Sequence, residues 1–363
     1  MINKMKYLLN SLKTFKIVVF SNKYNYFEGF SGIRKVLIIT LMISTILVSS
    51  TYAELFPNLG GQRAGTSVFT FLKIGVGARE AAMGNAGVSL AYDASSLYWN
   101  PASASQVDQS ALTISHTRYP VEIEYSYIGY IHKFNENIYL GFSSGALYTD
   151  PMEVTTTYHP YGTGEYFNYG DIFMGLTFSH KMTDRFSYGT TVKYVEETLD
   201  DLDMKTVLVD FGTFYWTGYK TLRFCVSLVN FGSQSRPDGT YFKPLKDGGE
   251  EESKYSLFSP PTEFRIGAAM DIFDKGDHKT LLSCQLNHPV DNSEYFVAGL
   301  EQNYKDKFFL RGGYIANQAE KNFTVGAGTF IPMGKFGLSA DYAWSDFGVL
   351  GDIQQIQISV KIK

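Results

Sequence analysis

The sequence predicts an all-β protein: a transmembrane antiparallel β-barrel of about fourteen strands with a short N-terminal plug, or hatch. Three observations predict it. The chain opens on an export-type segment, its body alternates apolar and polar residues with period two, and tight turns alternate with long loops. The 363 residues suffice for one large barrel, and 26 Tyr, 28 Phe and 34 Gly against 11 Pro favour pleated structure over helix. No apolar run reaches the ~18 residues of a membrane helix. A place in a membrane therefore requires a closed barrel, in which every backbone polar group is paired.

Residues 1–53 read as a signal peptide with an N-terminal extension. The apolar run Val36 to Val48 follows Arg34-Lys35 and precedes Ser49-Ser50-Thr51-Tyr52-Ala53, a basic region, an apolar region and a small-residue cleavage site. The run is too short to span a bilayer, so an N-terminal anchor helix is the weaker alternative. The segment before Arg34 is long for a signal peptide and fits an upstream start site. Cleavage after Ala53 removes seven of 32 bases and one of 36 acids, leaving a net charge of about −10. An acidic chain argues against nucleic-acid binding. The two cysteines, Cys225 and Cys284, fall on strands not expected to be neighbours and are expected as free thiols.

From residue 110 to residue 363 the chain reads as the barrel. In the last segment Ile356, Ile358, Val360 and Ile362 alternate with Gln355, Gln357, Ser359 and Lys361. The same period joins Phe264, Ile266, Ala268 and Met270 against Arg265 and Asp271, and Leu338, Ala340, Tyr342 and Trp344 against Ser339 and Asp341. The predicted strands cover 110–119, 122–134, 138–148, 169–182, 186–197, 205–216, 222–231, 262–272, 279–288, 293–304, 307–316, 322–331, 336–344 and 353–362. Connections after even-numbered strands are tight and polar, as at Asn135-Glu136-Asn137 and Lys275-Gly276-Asp277. Several after odd-numbered strands are long: 149–168, 198–204, 232–261 and 345–352. That asymmetry belongs to outer-membrane barrels.

Residues 54–109 read as the hatch, and within them 59–106 do not alternate. Small residues crowd the stretch that holds Gly75, Gly77, Ala78, Ala81, Ala82, Gly84, Ala86 and Gly87, and small side chains let a folded segment fit close to other backbone. A hatch inside a barrel lumen has that need; a small periplasmic subdomain or linker is the plainer reading. The stretch Gly75 to Ala102 holds an Ala-Met-Gly-x-Ala-Gly-Val core over 82–88, Asp93-Ala94-Ser95 and Trp99-Asn100-Pro101-Ala102. It resembles the N-terminal signature of the PorV/PorQ family, within the FadL-like outer-membrane barrels. The resemblance implies a fourteen-stranded barrel with an N-terminal hatch, and places the Asn100-Pro101-Ala102 element within or beneath the lumen. Gly84, Gly87, Asp93 and Trp99 belong to the same motif. PorV-like members act in type IX secretion, escorting cargo whose C-terminal signal they recognise; FadL-like members pass hydrophobic small molecules through a lateral wall opening. The chain ends Ser359-Val360-Lys361-Ile362-Lys363, without the terminal aromatic common in such barrels.

Other motifs carry little chemistry. Gly141-Phe142-Ser143-Ser144-Gly145 fits a hydrolase pattern that needs a strand-to-helix elbow, yet it lies inside an alternating strand. Six scattered histidines have no metal-ligand spacing. Asp200, Asp201 and Asp203, like Glu250, Glu251 and Glu252, read as solvated acidic loops rather than calcium ligands. No cofactor, metal or catalysis is expected. Asp210, Arg265, Asp271, Arg311 and Asp341 fall on lumen-facing positions and are expected to form ion pairs that hold the hatch, or to line a permeation path. The expected location is the outer membrane of a Gram-negative cell. The expected partners are outer-membrane lipid and, through the resemblance, secreted cargo and other secretion components. The alternative function is uptake of hydrophobic small molecules.

Overall fold

The computed structural model describes residues 64–363 except 91–92, 245–248, 319–321 and 363. Residues 1–53, the expected signal segment, lie outside the described residues. Strands form where the sequence alternates. They are β1 (Ser110–Arg118), β2 (Ile123–Lys133), β3 (Ile138–Thr149), β6 (Tyr169–Lys181), β7 (Phe186–Leu199), β8 (Leu202–Trp216) and β9 (Arg223–Gly232) in the first half. The second half supplies β12 (Glu263–Lys275), β13 (His278–Pro289), β14 (Tyr295–Tyr304), β15 (Phe308–Ala316), β16 (Phe323–Met333), β17 (Phe336–Asp346) and β18 (Asp352–Ile362). Each pairs antiparallel with its neighbours, and β18 returns to β1 through a register that runs from Ser110 opposite Ile362 to Arg118 opposite Gln354. Closure leaves no edge, the condition for strands to cross a bilayer. Two short hairpins, β4–β5 (Met152–Glu153 and Tyr166–Phe167) and β10–β11 (Thr240–Pro244 and Glu250–Lys254), stand apart in the two longest connections.

The strand period decides which face is which. Ile356 and Ile358 are about half exposed and point outward, whereas Gln355, Gln357 and Ser359 are buried in the lumen. Phe264, Ile266, Tyr342 and Trp344 also face outward, against buried Arg265 and Asp341. The apolar face is thus the outer one, the inverse of a soluble barrel with a dry core. An outward belt that also holds Leu176, Leu310 and Val192 is a lipid-facing surface. Cys225 lines the lumen and Cys284 sits across β12 from it; both are free.

One connection differs from its expectation. The stretch 198–204 is not a long loop: β7 and β8 pair up to Thr198 opposite Asp203 and Leu199 opposite Leu202, leaving only residues 200 and 201 to turn. Asp200 adopts φ 54°, the positive φ that such a tight hairpin needs. Asp200 and Asp201 make the two-residue turn, and Asp203 already lies in β8. The other long connections remain on one rim with 119–122, opposite the rim that carries 134–137, 182–185, 217–222, 276–277, 305–307 and 334–335.

Candidate functional site

The described residues between 64 and 109 run down the inside of the barrel from the long-loop rim to the short-turn rim. At the top, the Val68 amide donates to the Ser259 carbonyl (3.1 Å) and Lys73 pairs with Asp291 (2.8 Å). At the bottom, Gln106 donates to Ser187 (2.8 Å) and accepts from the Trp216 indole (2.8 Å) before the chain enters β1. Between these ends lie two short α-helices, α1 (Ala78–Ala82) and α2 (Ser96–Trp99), and two 3₁₀ turns over Thr70–Lys73 and Pro101–Gln106. Such short helices are marginal alone; here the barrel wall supplies the packing that holds them.

The upper part of this segment is apolar. Phe69, Phe71, Leu72, Tyr98 and Trp99 pack with Tyr125, Tyr127, Phe173, Val195 and Leu208 from the wall, all nearly inaccessible. The Tyr98 hydroxyl donates to the Leu72 carbonyl (2.9 Å), and burial pushes its pKa up to about 12. The Arg265 guanidinium lies over both Tyr98 and Trp99, 5.3 and 5.1 Å from their ring centres, and pairs with Glu263 (2.6 Å). Burying a charge without a partner costs several kcal/mol, so the pair and the two ring faces together make this arginine tolerable.

Small residues set the fit, on both sides of the contact. A Cβ on Gly87 would collide with the Trp99 indole, whose Nε1 donates to the Val76 carbonyl (2.8 Å). Gly84 takes φ 72°, and a side chain there would meet Val297 at 2.9 Å and the β15 backbone. The wall answers with its own glycines: Gly299, Gly313 and Gly326 face Met83, Gly84 and Ala82. Nothing in the alternation of the strands distinguishes those wall glycines from others.

Asn100 ties the segment to itself and to the wall. Pro101 opens the 3₁₀ turn at a position where its missing N–H is no loss. The Asn100 side-chain oxygen accepts from the Ala102 amide (3.0 Å), and its amide nitrogen donates to the Val88 carbonyl (3.3 Å) and to Thr213 O of β8 (3.1 Å). Asp93 turns the chain just ahead of α2, accepting from the Ser95 amide (2.9 Å), and also accepts from Gln357 (2.6 Å) and Ser359 (3.1 Å) of β18. Ala102 is buried, and the Ser179 hydroxyl of β6 donates to its carbonyl (3.2 Å).

The five charged lumen candidates divide. Arg311 and Asp341 come together (2.6 Å) and extend through Glu301, which accepts from Arg311 (2.6 Å) and from two nitrogens of Arg79 on α1 (both 2.7 Å). This chain links β14, β15 and β17 to the lumenal segment. Asp210 pairs with Lys193 (2.8 Å), and its Oδ1 accepts from the Asn230 amide (2.7 Å) at a β8–β9 bulge, entirely within the wall. Arg265 meets the segment at the ring faces of Tyr98 and Trp99. The Asp271 side chain faces the short-turn mouth without an ion pair among the described residues. Glu301, Lys193, Glu263 and Arg79 complete these groups and were not singled out; strand phase, applied to every charged residue, identifies the first three.

Beside Arg79, Glu80 is buried and faces Asp93. Burial and then the Asp93 carboxylate raise its pKa from 4.5 to about 8, against the opposing pull of Arg79. Below α1 a cavity of about 310 Å³ opens toward the short-turn rim, lined by Arg79, Glu301, Arg311, Phe309, Phe330 and Lys361 among others. The Gly141–Gly145 run lies on β3 with no elbow, and among the described residues no His, Cys, Asp and Glu group is arranged to hold a metal.

The family model of the type IX secretion system protein PorV matches residues 58–215, which take in the lumenal segment and the strands β1 to β8. A comparison with curated protein sequences gave no match. Among solved structures, the toluene transporter TbuX of Ralstonia pickettii is similar at 11% identity and TM-score 0.53, over 80% of this chain and 99% of that one. The toluene transporter TodX of Pseudomonas putida is similar at 12% identity and TM-score 0.53, over 79% and 97%. A FadL homologue of Pseudomonas aeruginosa gives 11% and 0.52, over 79% and 98%. At such identity these three speak for the fold alone. Two similarities meet on this chain: residues 58–215, which hold the lumenal segment, are similar to the PorV family, and the closed fourteen-stranded wall has the fold of the TbuX and TodX barrels.

Proposed function

We propose that this protein is an outer-membrane component of type IX secretion that binds cargo or partner proteins at its long-loop rim. In this reading the long loops face outside and the short turns face the periplasm, as in other barrels of this kind. The observation that carries it is the PorV match over the very segment that fills the lumen. A lumen occupied by Phe69, Phe71, Leu72 and Tyr98 above and by the Arg79–Glu301–Arg311–Asp341 chain below suits a binding scaffold better than an open pore. Residues 54–109 then act as the hatch, and residues 1–53 as the export signal.

A second reading has its own support. TbuX and TodX are toluene transporters by name, and the upper lumen here is apolar. The two readings separate in proteoliposomes. The first expects the purified protein to retain a cargo domain carrying a type IX C-terminal signal and to leave toluene flux at the protein-free rate. Toluene flux without cargo retention would replace it with the second.

A further inference from the structure

Beside the larger cavity, at the short-turn mouth, lies a smaller one of about 120 Å³, lined by Gln106, Val107, Asp108, Phe214, Trp216, Arg223 and Lys361. Arg223 opens β9 and is 3% exposed. Its Nε donates to the Ser89 carbonyl (2.8 Å), its Nη1 makes a long contact with the Thr221 carbonyl (3.4 Å), and its guanidinium lies 5.5 Å from the Trp216 ring centre. Its Nη2 has no hydrogen-bond partner among the described residues, and no carboxylate is in ion-pair range of the group. Lys361 lines both this cavity and the larger one, at a lumen-phase position of β18, and it too makes no ion pair among the described residues. Every other nearly buried cation of the lumen has a carboxylate partner: Arg79 and Arg311 with Glu301, Lys193 with Asp210, Arg265 with Glu263. The one acid on this cavity, Asp108, is exposed at its edge.

We propose that this cavity is an oxyanion site, which takes a phosphate or carboxylate group entering from the short-turn side. A buried guanidinium without a counter-charge is costly, and a planar fork with a free N–H suits a phosphate or carboxylate oxygen. Lys361 supplies the second charge from the opposite wall strand. The volume is that of about four waters at ~30 Å³ each, enough for a phosphate-sized ion or the acid end of a larger solute. Phe214 and Trp216 add an apolar flank on which the body of an organic acid can rest. The Trp216 indole is held by Gln106 and Gln106 by Ser187, so the cavity is already formed.

The test uses the full mature chain in nanodiscs at constant ionic strength, titrated separately with inorganic phosphate and with benzoate. Binding is followed by calorimetry and by the thermal midpoint, with chloride as the baseline. Saturable binding of phosphate, benzoate or both at millimolar concentration is expected; phosphate alone marks a free-ion site, benzoate alone the acid end of a larger solute. Lys361→Met and Arg223→Gln should each weaken binding roughly tenfold, the loss of one charge-assisted hydrogen bond. Lys335→Met, on the same rim but away from the cavity, should not. Since Arg223 also props Ser89, Lys361→Met decides if Arg223→Gln fails to fold. Neither anion binding, or Lys361→Met binding as well as wild type, overturns the proposal.

Discussion

Asn100 is the residue on which the lumenal segment turns. One side chain satisfies the first amide of a 3₁₀ turn, a carbonyl of the same segment and a carbonyl of the wall. Leucine in its place would leave these groups unpaired where little water reaches, at about 1–3 kcal/mol for each dry group. Asn100→Leu should therefore loosen the hatch and leave the strand ladder intact. Planar-bilayer recordings should show a higher or more fluctuating leak from a barrel that stays heat-modifiable on gels; identical conductance from two folded proteins would mean that the element does not seal the lumen. Glu80 gives a second test. Its folded pKa, about 8, lies above the ordinary 4.5, so between those values the folded state holds the proton more tightly than the unfolded one. Stability from this group is fully present below pH 4.5 and is lost as pH rises toward 8, at a limiting slope of roughly 1.4 kcal/mol per pH unit. Glu80→Gln should flatten the fall of the thermal midpoint between pH 5 and 8 (about the window of the shift) and raise the midpoint at pH 8. A slope unchanged by the substitution would show that Glu80 is solvated when the barrel is in lipid.

At the scale of elements the wall was legible and its contents less so. Strands such as β18 announce themselves, because a lipid-facing residue and a lumen-facing residue must alternate and the sequence has no other way to satisfy both solvents. The stretch 198–204 looks like a longer loop than it is: Asp200 and Asp201 do turn, but Asp203 sits in β8, where a strand that projects past the membrane can carry charge. The lumenal segment is set apart in the sequence by Gly84, Gly87 and Trp99-Asn100-Pro101-Ala102, but its docking is not legible there: Gly313 against Gly84, or Glu301 against Arg79, joins residues more than two hundred positions apart. The longest connection, 233–262, offers a test of sidedness. Trypsin added to whole cells should cut there at Lys246 and Lys254. Arg236 and Lys243 should resist, because each precedes a proline, Pro237 and Pro244. Cleavage confined to broken cells and to short-turn sites such as Lys220 would show that the orientation is inverted.

The whole molecule joins two solvents on one sheet. Outside, Leu176, Leu310, Ile356 and their neighbours meet lipid; inside, buried carboxylates and guanidiniums neutralise one another and clamp a segment of the same chain. A wall this regular serves many cargoes and solutes, so fold alone does not choose between export and uptake. The choice rests on the lumenal segment and on its family match. The most direct measurement is the fate of a type IX cargo in the bacterium that makes this chain, with the chain deleted and then restored on a plasmid. The account predicts that the cargo disappears from the cell surface and accumulates in the periplasm after deletion, and returns to the surface with restoration. Cargo delivered at the wild-type level without the chain, together with slower growth on a hydrophobic solute, would contradict it.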